Sequence, residues 1–179
     1  MTLTLGGRIQ TRLVLLSSVG LAWTLAVAPM LPRPAGAPLR LAYQVTLETS
    51  VAMTILGIVW EFVYHGLQQL RWDKDWPSLL GLLTGVLEAV PVWLVLHALR
   101  IVPGGAELSS PILPLYAAHF GSTWLLVWLV GQGPIRVLQP RWRFEGGSFS
   151  RRPPDAIIPF VITNMGMVFA LVILWLVWR

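Results

Sequence analysis

Between Arg12 and Arg33 the chain carries no charged residue, and residues 13–31 there are almost wholly apolar. Four more stretches of similar length follow, at about 41–64, 79–102, 112–130 and 157–178. A bilayer's hydrocarbon core is about 30 Å thick, and about 20 mostly apolar residues are needed to cross it as a helix. Inside lipid every backbone N–H and C=O must be satisfied within the protein, which makes each such stretch a helix. Composition points the same way. The chain is 55% hydrophobic and 12% charged, where a soluble domain is about 25% charged. A chain of 179 residues cannot bury that much apolar surface as a water-soluble globule, and it is too apolar to be disordered. It has no cysteine, which excludes a disulfide scaffold and thiolate chemistry. The expected fold is an all-α integral membrane protein, a bundle of five transmembrane helices forming one domain over 1–179 with no soluble domain.

The first stretch ends in Ala26-Val27-Ala28, the small-x-small form of a signal-peptidase site. Pro29 would directly follow that cut, and we read the segment as a retained helix. Cationic flanks set the expected orientation. One set of flanks holds Arg8, Arg12, Arg71, Lys74, Arg136, Arg141, Arg143, Arg151 and Arg152; the other holds Arg33, Arg40, Arg100 and Arg179. The first set belongs inside, so the N terminus is cytoplasmic and the C terminus outside. Trp60, Tyr64, Trp72 and Trp76 bracket one boundary, and Trp175 and Trp178 close the last stretch, as in the aromatic belts of membrane proteins. The expected location is a bacterial cytoplasmic membrane. The single Lys beside twelve Arg fits a GC-rich bacterial genome.

Ionisable residues within the apolar stretches are costly and mark contacts or pathways. At about 1.5 Å per residue, Glu48, His97 and His119 share a layer roughly 8–10 Å below the outer edge, with Gln44 and Tyr116 beside them at helical spacing. A second layer nearer the cytoplasm holds Glu61, Tyr64, His65 and Gln68 on one helix face, Glu88 roughly 14 Å deep on the next, and Asn164 on the last. Glu88 shares its face with Gly81, Thr84 and Gly85. Gly81 and Gly85 form a Gly-x-x-x-Gly notch that admits a neighbouring backbone. The bland reading of both layers is hydrogen-bonded glue between helices. The sharper readings are a proton or ion path through Glu61 and Glu88, or a haem or metal site at His97, His119 and Glu48. No cofactor is expected ahead of the glue reading.

Small residues recur four apart at Ala117 and Gly121 and at Gly166 and Ala170, which reads as packing seams within the chain or against another subunit. The one long connection, 131–156, contains Arg136, Arg141, Arg143, Arg151 and Arg152 with Trp142, Phe144 and Phe149. Beside an inner leaflet such a loop sets topology and binds anionic lipids or an acidic partner; nucleic acid is not expected. The alternation Arg141-Trp142-Arg143-Phe144 before Gly146-Gly147 suggests a short hairpin.

No Gly-x-Ser-x-Gly, His-Glu-x-x-His or phosphate-cradling loop is present, and Glu61 and His65 stand four apart rather than at the di-iron spacing of three. The expected function is a non-enzymatic anchoring or accessory subunit of a larger membrane complex, with other membrane subunits or a second copy of itself as partner. The alternative is a small oligomeric transporter or proton- or ion-conducting element. A lesser alternative is a subunit holding haem or pigment.

Overall fold

The computed structural model describes residues 3–72, 77–98 and 110–149. All regular structure among them is helical, and four helices are long and apolar enough to cross a membrane. These are α1 (Leu5–Met30), α2 (Leu39–Leu70), α3 (Ser78–Ala98) and a fourth run, Leu113–Leu138, made of α4 (Leu113–Gln132) and the short α5 (Pro134–Leu138). A last short helix, α6 (Pro140–Phe144), follows. The expected fifth span at 157–178 lies outside the described residues, as do Asn164, Gly166, Ala170, Arg151 and Arg152.

The first span starts earlier than the apolar run suggests. Thr4 caps it, its Oγ1 accepting from the Gly7 N–H at 3.1 Å, and the helix then runs through Arg8 and Arg12 without a break. The capping hydroxyl satisfies an otherwise orphaned backbone donor, so nothing requires the helix to wait for the uncharged segment. Arg8 and Arg12 are consequently inside the span and not in a flanking loop. Midway, Leu16–Gly20 form a π turn, a local widening often found at sites where a helix must re-aim its side chains. The helix closes in a 3-10 turn over Ala28–Met30.

At about 1.5 Å per residue, the 32 residues of α2 reach about 48 Å, more than the hydrocarbon core needs. One stripe of α2 is buried, running through Ala42, Val45, Thr49, Met53, Gly57, Glu61, Tyr64 and Gln68. Its outer face, including Ile55, Val59, Phe62 and Leu70, is exposed, as lipid-facing residues are. The same holds for Val86, Leu87, Val90 and Leu94 of α3. The core is an apolar cluster of Met53, Val92, Leu96, Leu115, Tyr116 and Phe120 with their neighbours. Aromatic rings stack along it: Trp93, Tyr116, Phe120 and Trp124 follow one another with centroids 4.7, 5.7 and 6.3 Å apart.

The segment from Pro140 to Phe149 does not form a hairpin. Residues 140–144 are helical, and the chain then turns through Gly146 and Gly147, both at positive φ (61° and 88°), a conformation glycine adopts without steric cost. The turn packs on the start of α1. The Thr4 N–H donates to the Gly146 carbonyl at 2.9 Å, Thr11 Oγ1 donates to the Gly147 carbonyl at 3.2 Å, and Gln10 Oε1 accepts from the Phe149 N–H at 3.1 Å. A Cβ on Gly7 would run into the Gly146 carbonyl, so this close approach depends on glycine at position 7.

Candidate functional site

The N-terminal end of α1 and the C-terminal end of α2 lie together, and with them the first half of α3. Arg12 stands between the two neighbouring helices. Its Nη1 and Nη2 donate to the two oxygens of Glu88 at 2.7 and 2.8 Å, a two-pronged pairing. Its Nε donates to Glu61 Oε1 at 2.8 Å. Arg8, one turn earlier, reaches the other Glu61 oxygen at 3.4 Å through Nη1 and donates to Gln68 Oε1 through Nε and Nη2 at 3.1 and 2.8 Å. Two guanidinium groups thus face two carboxylates, and the cluster is neutral as a whole. All four side chains are nine-tenths or more buried. Tyr64 is buried beside Glu88.

Planar guanidinium matches carboxylate geometry with two parallel bonds and retains its charge in almost any environment. An unpaired carboxylate buried this far would be costly, and the Arg–Glu geometry offsets that cost only while every partner is present. The backbone makes room for the arrangement. A Cβ on Gly57 of α2 would overlap the Arg12 guanidinium. The Arg12 guanidinium also lies over the Trp124 ring of α4, 5.3 Å from its centroid, adding a cation–π contact.

The inner layer read from the sequence thus comes together in part. Glu61, Tyr64, Gln68 and Glu88 meet, while half-buried His65 has its hydrogen-bond contact with Gln69 on its own helix. The central member, Arg12, is one that a count of loop cations assigns to the membrane surface. The available signal was the spacing of Arg8 and Arg12, four residues apart and so on one helix face, ahead of a helix with no breaker.

The Gly81–Gly85 notch is occupied by side chains and not by a neighbouring backbone. A Cβ on Gly85 would overlap the Trp124 ring. Trp124 and Trp128 lie across the notch and donate their indole N–H groups to the carbonyls of Leu82 (3.1 Å) and Ser78 (3.0 Å). Ala117 and Gly121, read as a packing seam, are exposed. They line an outward groove between α3 and α4 of about 650 Å³. Within the described residues the seam is therefore not a contact.

In the outer layer each polar group bonds where it stands. His119, fully buried, places Nε2 2.9 Å from Thr24 Oγ1, which lies 3.0 Å from Ser50 Oγ. This joins α4, α1 and α2 through two hydroxyls that the sequence did not single out. His97 holds its own helix's Trp93 carbonyl through Nδ1 at 2.9 Å and packs on the Trp93 ring. Glu48 accepts from Gln44 at 3.1 Å. Among the described residues no group of three or more His, Asp or Glu could hold a metal ion, so Glu48, His97 and His119 are not gathered as one ligand set.

In the connecting segment Arg136, Arg141 and Arg143 are exposed, and Arg143 lies over the Phe144 ring. Trp142 is buried and donates to Thr11 Oγ1 at 2.6 Å. At this end of the bundle Arg8, Arg12 and Glu61 also line a cleft of about 160 Å³.

Fold and site together define, among the described residues, a helical bundle whose membrane-length helices are tied together by a buried Arg–Glu cluster. No family model matches this chain, and no curated protein or solved structure matches it either.

Proposed function

We propose that this protein is a non-enzymatic accessory or anchoring subunit of a larger assembly in a bacterial cytoplasmic membrane. Its partner is another membrane subunit or a second copy of itself. The observation that supports this reading best is the Arg12 clamp. The deepest carboxylate, Glu88, and its neighbour Glu61 are both held by one guanidinium. Groups held in this way join helices, whereas a proton relay requires carboxylates that release and take up protons. The N terminus is assigned to the cytoplasm. With Arg8 and Arg12 removed from the loop count, seven cationic residues still flank that side against four on the other, and cytoplasmic loops carry the excess.

Purification from native membranes in mild detergent tests the reading. A second membrane protein is expected at fixed stoichiometry, or a defined homo-oligomer. A lone monomer, together with proton or ion flux in proteoliposomes that Glu88→Gln and His119→Ala abolish, would replace the subunit reading with the conducting one.

A further inference from the structure

The cleft beside the Arg–Glu cluster has an uneven charge balance. Of the cationic residues lining it, Arg8 and Arg12 are matched by Glu61 and Glu88. Arg136 on α5 also lines it, is exposed, and forms no ion pair among the described residues. The surplus positive charge therefore sits at the cleft's rim, at the end of a membrane-length helix where headgroups lie. Four residues before it, Gln132 lines the same cleft, and its buried Oε1 accepts no hydrogen bond among the described residues. The walls include Trp124, Trp128 and Trp142. Each indole N–H is already given to a protein acceptor, so the rings offer a ligand apolar surface. Trp124 also lines the outward groove between α3 and α4, so one residue borders both the cationic cleft and the apolar groove.

We propose that cleft and groove form one binding site for an anionic glycerophospholipid. Its phosphate pairs with Arg136, a hydroxyl of its headgroup donates to Gln132 Oε1, and one acyl chain lies along Ala117 and Gly121. Guanidinium binds phosphate oxygens in pairs, and an Arg near the headgroup layer favours anionic over neutral lipid by about fivefold. The chain groove is almost wholly apolar, and Gly121 has nothing within 4 Å of where a Cβ would stand, so the space is open on that side. This narrows an Arg-rich connection to one residue that selects lipid.

The test is native mass spectrometry of the protein taken from neutral detergent into equal amounts of phosphatidylglycerol and phosphatidylcholine. Wild type is expected to retain phosphatidylglycerol about fivefold over phosphatidylcholine. Arg136→Gln should bring that ratio well below the wild-type value, leaving only the part due to the headgroup hydroxyl, without lowering thermal stability, because Arg136 is exposed. Gly121→Leu, which fills the groove, should reduce retention of both lipids while leaving their ratio unchanged. Soluble glycerol phosphate in excess should not displace the lipid. An unchanged ratio in Arg136→Gln overturns the proposal. Displacement by glycerol phosphate alone also overturns it, and makes the ligand a free phosphate ester. Unchanged retention in Gly121→Leu overturns it as well, and gives the groove to another occupant, such as the apolar segment 157–178 or a partner's helix.

Discussion

Arg12 is the residue on which the bundle's polar interior turns. It contacts Glu61 and Glu88 from the first span, with charge-assisted hydrogen bonds to both. Replacing it leaves Glu88 without its paired cation and Glu61 with Arg8 alone. Breaking one side of a buried ion pair costs about 3–5 kcal/mol, so Arg12→Ala should lower the thermal midpoint in detergent steeply or prevent stable folding. Removing the charge opposite should relieve part of that loss. A double-mutant cycle of Arg12→Met and Glu88→Gln is expected to give a coupling energy of about 1–3 kcal/mol, read from thermal unfolding of the four proteins. Additivity within about 0.5 kcal/mol would show that the pair does not hold the helices together. The glycine at position 57 belongs to the same unit, because its missing Cβ gives the guanidinium its space.

At the scale of elements, the turn through Gly146 and Gly147 is anchored by backbone and side-chain bonds to Thr4, Gln10 and Thr11 of α1 and by the burial of Trp142. This couples the connection after α4 to the start of the chain, although nearly 140 residues separate them in sequence (Gln10 to Phe149, 139). Gly7→Val places a side chain where the Gly146 carbonyl now sits and should release the turn. Arg141 and Arg143 on α6 then become better tryptic sites. The expected result is faster cleavage there in the variant, with the rest of the bundle intact. Equal cleavage rates would mean that the turn is held by contacts other than this approach. A hairpin was expected in this stretch because apolar and charged residues alternate. The helix forms instead because Pro140 opens it with φ already suited to the first turn, and because Trp142 gains a buried place against Thr11.

For the whole molecule, the ends of the helices alternate: the start of α1, the end of α2, the start of α3 and the end of α4 share one end. Absence of native cysteine makes the orientation easy to measure, since one introduced thiol is the only one present. Ala35→Cys, in the exposed connection between α1 and α2, should react with a membrane-impermeant maleimide in intact cells. Glu145→Cys, in the turn at the opposite end and also exposed, should react only after the membrane is opened. The reverse pattern would invert the molecule, and labelling of both in intact cells would contradict a bundle that crosses the membrane.

The layout of long apolar helices was legible in the sequence because it depends only on the length and composition of each stretch, and lipid leaves the backbone few alternatives. Glu48, Glu61 and Glu88, which stand out in the sequence as charged residues within apolar stretches, are buried within the bundle. Three things became visible only in the tertiary structure: that Arg8 and Arg12 belong inside the first span, that tryptophan rings fill the Gly81–Gly85 notch, and that Ala117 and Gly121 face outward. Each depends on how a helix is rotated against neighbours far away in sequence; Arg12 meets Glu61 and Glu88 across 49 and 76 residues. Local periodicity gives a residue's face but not what stands opposite it, and a charge at the edge of an apolar run belongs to the surface or to the interior according to whether a buried partner awaits it.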